Sequence, residues 1–296
     1  LLAASETQAK TYREWLAKET QYPVADFEES VTSFRRAVRD IATHPPFDKI
    51  KHLSLPFQRM ILSSLCQRLL NPSDFLGQMR ESPGFANALL ERIREWKLTC
   101  ISPDALEASI PDISARLESE TYRRKTGELV RLYRAYEEFL KEHNLRDPED
   151  LLHLAAQHIR DQALLPGNAN LVLMDGFFRL NRAQRELLTA IAERTGNSQA
   201  EVVLTLPYDA QRPLLFAASE RTLQALREEF TTHETVLQMS PTLASTPLSL
   251  LESRLFHHSS LEEAPPLPPN SLPIQIYDAP NNYVEAEMAA REFKRL

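Results

Sequence analysis

The chain has 296 residues, room for about two domains at ~100–200 residues each, and its 43% hydrophobic and 25% charged content is that of a soluble globular protein. A net charge of −7 excludes bulk electrostatic attraction as a route to nucleic acid and leaves only local basic patches. No apolar run approaches the ~20 residues that cross a bilayer, nothing resembles a signal peptide, and two distant cysteines, Cys66 and Cys100, suit a reduced cytoplasm while being too few for a disulfide scaffold, a zinc site or an iron–sulfur site.

Residues 1–4 look like the end of a buried strand. Ser5 is placed to cap the amphipathic helix that follows, which turns Ala9, Tyr12 and Leu16 inward, with Trp15 as a further inward candidate. Glu28 to Thr32 is a strand candidate, and Ser33 opens the helical run FRRAVRDIA, which Pro45 and Pro46 break. A helix is predicted over Phe57 to Leu70, carrying Met60, Leu62, Leu65 and Leu69. From Pro72 to about Leu165 helix follows helix, broken at Pro83-Gly84, Ser102-Pro103, Pro111 and Asp147-Pro148. Ser102 and Asp147 each precede a proline and suit capping. The longest helix is expected from about Leu117 to Glu142, with Leu129, Leu132, Tyr133, Tyr136 and Leu140 as its buried stripe. No strand signal interrupts this stretch, which reads as an all-helical insertion.

Strand signals return at Asn170–Met174, Glu201–Leu206 and Thr235–Gln238, separated by helical segments as in a parallel α/β sheet. Residues 257–273 are polar and Pro-rich and read as a linker. Ile274–Tyr277 then starts a strand and Val284–Leu296 a helix, the expected opening of a second α/β domain. The chain has no initiator Met, opens on LLAAS and ends within EAEMAAREFKRL, so a piece of a longer protein is expected.

Residues 171–194 carry the strongest functional signal. A short apolar run, Leu171 to Met174, ends in Asp175, and a turn leads into a helix with Ala183, Leu187, Leu188 and Ile191 on one face. In nucleotide hydrolases a carboxylate at a strand's carboxyl end helps to hold Mg²⁺ near the phosphates, and a neighbouring group, commonly Glu, positions the attacking water. Here the neighbour is Gly176. Asp175 reads either as a residual Mg²⁺ ligand or as a strand-end residue capping the turn. Phe177 and Phe178 read as base-stacking residues or as core between sheet and helix. Arg35 and Arg39 share a helix face beside a helix N-terminus, where they suit DNA phosphates or a solvated flank. Arg123, Arg124, Lys125, Arg131 and Arg134 form the densest basic stretch. It suits a DNA track, and Glu128, Glu137 and Glu138 on the same helix suit intrahelical pairing instead. His153 and His158 do not share a helix face well, and His257-His258 lies in the linker, so no metal site is expected.

Several segments, in order, resemble the UvrD-type superfamily 1 helicases. AASETQAKTYREWL (3–16) is similar to the stretch after the phosphate loop, where a strand feeds a polar turn and a helix. ESVTSFRRAVRDI (29–41) resembles the next motif, a strand ending in a Thr/Ser-Phe pair near single-stranded DNA, at Thr32, Ser33 and Phe34. LRDPEDLLHLAAQ (145–157) resembles the acidic segment before the hydrolytic strand, and MDGFFRLNRAQRELLTAIA (174–192) the hydrolytic motif and its trailing helix. VVLTLPYDAQRPLLFAAS (202–219) resembles the strand and turn carrying the phosphate-sensing Gln. Gln211, with Asp209 nearby, holds that position, and a solvated loop Gln is its other reading. ETVLQMSPTLAS (234–245) occupies the place of the strand leading to an Arg. DGF in place of an Asp-Glu pair, and the closing APNNYVEAEMAAREFKRL, resemble the B-type chain of the bacterial ATP-dependent helicase–deoxyribonucleases, the AddB/RexB type. The resemblance covers essentially the whole chain.

That resemblance implies an α/β fold, a RecA-like parallel sheet (helicase domain 1A-like) from 1–70 and 166–256 with a helical insertion (1B-like) at 71–165. The linker at 257–273 and the start of a second α/β domain at 274–296 follow. It implies a cytoplasmic protein of double-strand break repair and recombination, with single-stranded DNA and the A-type motor protein of a helicase–nuclease as partners and no membrane. ATP with Mg²⁺ and an iron–sulfur cluster are implied for the longer protein and none for this fragment, whose phosphate loop would precede Leu1 and whose nuclease residues would follow Leu296. The departures are consistent in direction. No glycine forms a GxxxxGK[ST] loop, and Gly176 replaces the water-positioning Glu. Phe178 and Arg179 stand where active helicases carry Gln and Asp, and Ser240 to Ser245 contains no Arg. Losing such groups costs orders of magnitude in rate. The expectation is a helicase-shaped module without motor activity that binds or guides single-stranded DNA. An active superfamily 1 helicase fragment and a protein-interaction scaffold without DNA contact are the alternatives.

Overall fold

The computed structural model describes residues 1–27, 30–43, 51–117, 120–161, 169, 171–196, 201–210, 212–237 and 277–295. They form two units, residues 1–208 with 216–231, and residues 209–215 with those from 232 onward. In chain order the first unit holds β1 (Leu2–Ala3), α1 (Glu6–Thr20), β2 (Thr32–Ser33), α2 (Phe34–Ala42), β3 (Lys51–His52), α3 (Leu55–Leu69), α4 (Pro83–Leu98), α5 (Pro103–Leu117), α6 (Glu120–Glu142), β4 (Leu145–Arg146), α7 (Asp150–Asp161), β5 (Leu171–Asp175), α8 (Arg182–Gly196), β6 (Glu201–Leu204) and α9 (Ala217–Glu229). The second unit holds α10 (Asn282–Phe293).

Four strands form a parallel sheet in the order β2-β1-β5-β6. Ala3 pairs with both Ser33 and Asp175, and Met174 pairs with Leu204. The α/β class with a parallel sheet is thus as expected from the alternation of apolar runs and helical stretches. Helix starts follow the polar residues that precede them. Ser5 accepts from the Gln8 N–H at 3.2 Å and Ser102 from that of Ala105 at 3.1 Å. Asp147 and Asp150 cap reciprocally ahead of α7, each side chain accepting the other's N–H, as do Asn181 and Gln184 ahead of α8.

Two apolar cores result. One lies on the sheet, where Val172 and Met174 of β5 meet Phe34 and Val38 of α2, Ala155 and Ile159 of α7, and Leu187 and Ile191 of α8. The other is helical, with Leu62, Leu65 and Cys66 of α3, Leu89, Leu90 and Ile93 of α4, and Leu132, Tyr136 and Leu140 of α6. The α6 stripe is close to the predicted one, with Val130 added and Leu129 only half-buried.

Five expectations are corrected. Trp15 is 55% exposed, because the inward stripe of α1 runs through Ala9 and Arg13. Arg13 tolerates burial by donating to the Val31 carbonyl at 3.0 Å and to Glu6 at 3.2 Å. Met60 is exposed, since it lies opposite the Gln58–Leu62–Leu65–Cys66 face of α3. Pro111 does not break α5, which continues to Leu117. A helix-interior proline costs ~3 kcal/mol, and packing against α6 offsets it. There Arg134 binds Asp104 and Glu107 at 2.7 and 2.8 Å, and the Tyr133 hydroxyl donates to Ile101 O. A two-residue strand, β4, falls inside the stretch read as helix only and pairs in parallel with β3 upstream of it. Thr235–Leu237 is no strand, and Val236 and Leu237 are exposed. Two apolar residues without a neighbouring ladder have nothing to pair with.

In the second unit Asn281 caps α10, its side chain accepting from the Tyr283 and Val284 N–H groups at 3.0 Å each. The helix expected at Val284–Leu296 is therefore present slightly earlier. The linker at 257–273 and most of the strand predicted at Ile274–Tyr277 lie outside the described residues.

Candidate functional site

The carboxyl ends of β1, β2 and β5 lie at one edge of the sheet, because the strands run parallel. β1 stands between β2 and β5, so the chain leaves it on one side and returns on the other. In open parallel sheets, ligands bind in the crevice at such a reversal. Asp175 closes β5 there. Its backbone carbonyl accepts from Ala4 N–H at 3.1 Å. Its carboxylate accepts from the Thr205 hydroxyl on Oδ1, from the Tyr12 hydroxyl and the Gln8 amide (3.0 Å) on Oδ2, and from the Gly176 N–H. Burial pushes Asp175 up, but the bonds from Thr205, Tyr12, Gly176 and Gln8 outweigh it and hold the carboxyl below its ordinary value. Tyr12 moves up in turn, chiefly because Asp175 holds its hydroxyl proton.

Gly176 has φ +83°, a left-handed backbone that glycine adopts freely. A Cβ added there would meet the Gln8 side chain at 2.4–2.8 Å. Gln8 is held in place by the Ala4 N–H, which donates to its Oε1 at 3.2 Å, and by its own amide donation to Asp175 and Tyr12. A side chain at position 176 would thus run into Gln8. These residues do not fit a Mg²⁺–nucleotide group. Asp175 is already bonded by Thr205, Tyr12 and Gln8, and Ser5 caps α1 with its own hydroxyl. Asp175 thereby ties the end of β5 to α1 and to Thr205. Asp209 belongs to the second unit, where it pairs with Arg212 at 2.7 Å. Gln211 and Ser240–Ser245 lie outside the described residues. The two thiols do not fit an iron–sulfur cluster either, with Cys66 enclosed in the helical core and Cys100 against the sheet core.

The predicted DNA contacts separate into inward and outward groups. Ser33 caps α2, accepting from Arg36 N–H at 3.4 Å, and also bonds Glu6. The Thr32 hydroxyl oxygen is buried without a hydrogen-bond partner. Phe34 is corrected to a core residue, its ring edge-on to Phe177 with centroids 5.5 Å apart. Of the candidates from 32 to 39, Arg35 and Arg39 are the exposed ones; Arg39 contacts Asp40 at 3.5 Å, and Arg35 makes no salt bridge among the described residues. The two phenylalanines after Gly176 also diverge. Phe177 is core, whereas Phe178 is 63% exposed, with Arg179 exposed beside it. α9 fixes this loop, as Ser219 donates to Phe178 O at 3.1 Å and Thr222 accepts from Leu180 N–H at 3.2 Å. No signal in the sequence separates two adjacent phenylalanines; the turn geometry does.

On α6 the pairing is mostly with other segments, the turn after α3 and helix α5, not within the helix. Arg131 binds Asp74 at 2.9 Å and Arg134 binds Asp104 and Glu107, while Glu128 accepts the Phe75 and Leu76 N–H groups at 2.8 Å. Arg123 alone pairs along its helix, with Glu120. Arg124 and Lys125 are exposed and form no salt bridge among the described residues.

Two clusters were not anticipated from the sequence. Lys97 lies buried at the end of α4, its ammonium 2.9 Å from Glu137, 2.7 Å from Asp147 and 2.6 Å from Asp150. Cys100 after α4, His153 on α7 and Glu186 on α8 bring one ligand-type atom each within 4.8 Å of one another. Burial, and then the Glu186 carboxylate, push the Cys100 thiol up to about 12. Asp147 was legible as a cap, but the distant lysine that it meets was not.

The fold and site thus define a parallel α/β protein whose strand-end carboxylate, Asp175, is hydrogen-bonded by its own chain. A family model described as ADDB, N-terminal, matches residues 16–262, and the chain belongs to that family. Similar proteins include the B chain of the ATP-dependent helicase/deoxyribonuclease of Geobacillus thermodenitrificans, 26% identical over 80% of this chain and 21% of that protein. Its counterparts in Desulforudis audaxviator (25% identical, 91% and 23%) and Pelotomaculum thermopropionicum (27% identical, 90% and 23%) carry the same name. The chain spans about a fifth of the length of these curated relatives. No helix among the described residues is long and apolar enough to cross a membrane.

Proposed function

We propose that this region is a RecA-like helicase domain without motor function, with its 1B-like insertion at 71–165, that guides single-stranded DNA within a cytoplasmic helicase–nuclease. On this reading the parent acts with the A-type motor protein of that assembly in processing double-strand breaks for recombinational repair. On the same reading ATP with Mg²⁺ and an iron–sulfur cluster belong to the longer protein and none to this fragment. The observation that carries the proposal is the strand-end site. Asp175 is bonded by Thr205, Tyr12 and Gln8 of its own chain, and Gln8 fills the space at Gly176. The parallel order β2-β1-β5-β6 supports the RecA-like reading, and the names of the relatives supply the helicase–nuclease setting. Exposed Arg35, Arg39, Phe178 and Arg179 near the sheet edge offer phosphate contacts and one stacking ring, with Arg124 and Lys125 of α6 as further cations.

Single-strand affinity of the chain is expected to fall with salt, with a log–log slope of ~0.7 per neutralised phosphate. Reversing Arg35 and Arg39 to Glu weakens binding and flattens that slope. Phe178→Ala loses ~1–3 kcal/mol with little sequence dependence. A salt-independent plot would sink the DNA role and leave a protein-interaction scaffold. In the isolated longer protein, ATP turnover at motor rates that Asp175→Ala abolishes would overturn the inactive-motor reading.

A further inference from the structure

We propose that Cys100, His153 and Glu186 form a binding site for a Zn²⁺-class divalent ion that pins the turn between α4 and α5 to α7 and α8. The ligand set comes first. A thiol, an imidazole and a carboxylate are the Zn²⁺ donor types, and thiolate with imidazole disfavours Mg²⁺ and Ca²⁺. As thiolate, neutral imidazole and carboxylate the set carries two negative charges, which a divalent ion neutralises. Binding forms the metal–sulfur bond and releases the thiol proton to solvent.

The orientation of His153 points the same way. Its Nε2 lies 3.4 Å from the Lys97 carbonyl oxygen, the outer partner that metal-bound histidines commonly use. With the ring proton on Nε2, Nδ1 is an acceptor, and it faces Glu186 Oε2 at 3.7 Å. Nδ1 and Oε2 thus face each other across a gap that a bridging cation would span. Arg182 approaches the other oxygen, Oε1, at 3.6 Å and leaves Oε2 to the site.

The spacing is close to what coordination requires. Tetrahedral Zn²⁺ at ~2.0–2.1 Å from nitrogen and oxygen sets those atoms about 3.4 Å apart. The present 3.7 Å and the 4.8 Å limit on all three atoms need only a small side-chain closure. His153 and Glu186 are 39% and 37% exposed, so an ion has a path in and a fourth position for water. No further His, Cys, Asp or Glu joins the group among the described residues.

The test is titration of the 296-residue chain with Zn²⁺ alone and with Co²⁺ alone. One equivalent is expected to bind, and Co²⁺ should give a thiolate charge-transfer band, which histidines and carboxylates elsewhere do not produce. Cys100→Ser abolishes the band, and His153→Ala weakens affinity beyond the ~10–100-fold that outer-shell changes cost. A second readout needs no variant: Zn²⁺ should protect Cys100 from alkylation. Absence of the band, its persistence in Cys100→Ser, or alkylation indifferent to Zn²⁺ would each overturn the proposal.

Discussion

Lys97→Met is expected to destabilise the first unit by ~3–5 kcal/mol, the usual cost of removing one partner from a buried ionic cluster. Lys97 is 4% exposed and is the cation shared by Glu137, Asp147 and Asp150, so the substitution leaves three carboxylates facing each other. Asp147, which also caps α7, is the most enclosed of them. Burial lowers Lys97, but the three carboxylates outweigh it and hold the ammonium well above its ordinary range. Its contribution is therefore present below that range wherever the carboxylates it faces are ionised, and fades in strong alkali. Asp147 moves oppositely to an ordinary ion-paired carboxylate. Burial raises it, Lys97 pulls it back, and the balance leaves it at about 7. One ammonium facing three carboxylates leaves excess negative charge, which favours a proton on Asp147. A carboxyl with a raised folded value binds its proton more tightly in the native state. Stability from this group is thus full below its unfolded value of 3.8 and is lost as pH rises through about 7. Urea unfolding across that window should show wild-type stability falling with pH on this account. Lys97→Met should fall further and recover at the acid end. Equal stability of variant and wild type at neutral pH would refute the shared-cation account.

Gly176→Glu is expected to give no ATP turnover and to cost stability, although it restores the residue type of an active hydrolytic motif. The left-handed backbone at φ +83° alone costs a side-chain-bearing residue ~1–3 kcal/mol. The new Cβ also displaces Gln8, whose amide bonds Asp175 and whose Oε1 accepts the Ala4 N–H. Gln8 is the flexible end of a side chain, so the displacement is possible and the lost hydrogen bonds add to the backbone term. The double variant Gln8→Ala, Gly176→Glu should relieve the contact and keep the backbone penalty. Thermal unfolding of both variants checks the stability claim. Gain of ATPase activity by Gly176→Glu in the longer protein would falsify the view that this crevice is closed to nucleotide.

Local features were largely legible in the sequence, because each depends on residues a few positions apart. Ser5, Ser33, Ser102 and Asp147 announce helix starts through their own hydrogen bonds to nearby N–H groups. The apolar run Leu171–Met174 ending in Asp175 announces β5, and the ordered motif segments announce the family. Where short-range pattern misled, tertiary packing outweighed propensity. Pro111 stays inside α5 because α6 holds that helix, and Trp15 faces solvent because a satisfied Arg13 takes the inward stripe.

What only the tertiary structure decided are the meetings of residues far apart in the chain. The sequence by itself determined that position 176 lacks a carboxylate; the fold put Gln8 in the vacated space and closed Asp175 with donors from α1 and from Thr205 after β6. It determined that Lys97 exists on a helix and Asp147 before another; the packing of α4 against α6 and α7 made them one buried cluster. Cys100, His153 and Glu186 follow no ligand spacing, and their approach depends on three helices at once. The physical reason is common to all three. A cap or stripe is set by backbone geometry within a few residues, whereas a side chain's remote partner is set by how whole elements pack, and one-dimensional pattern carries no distance between elements.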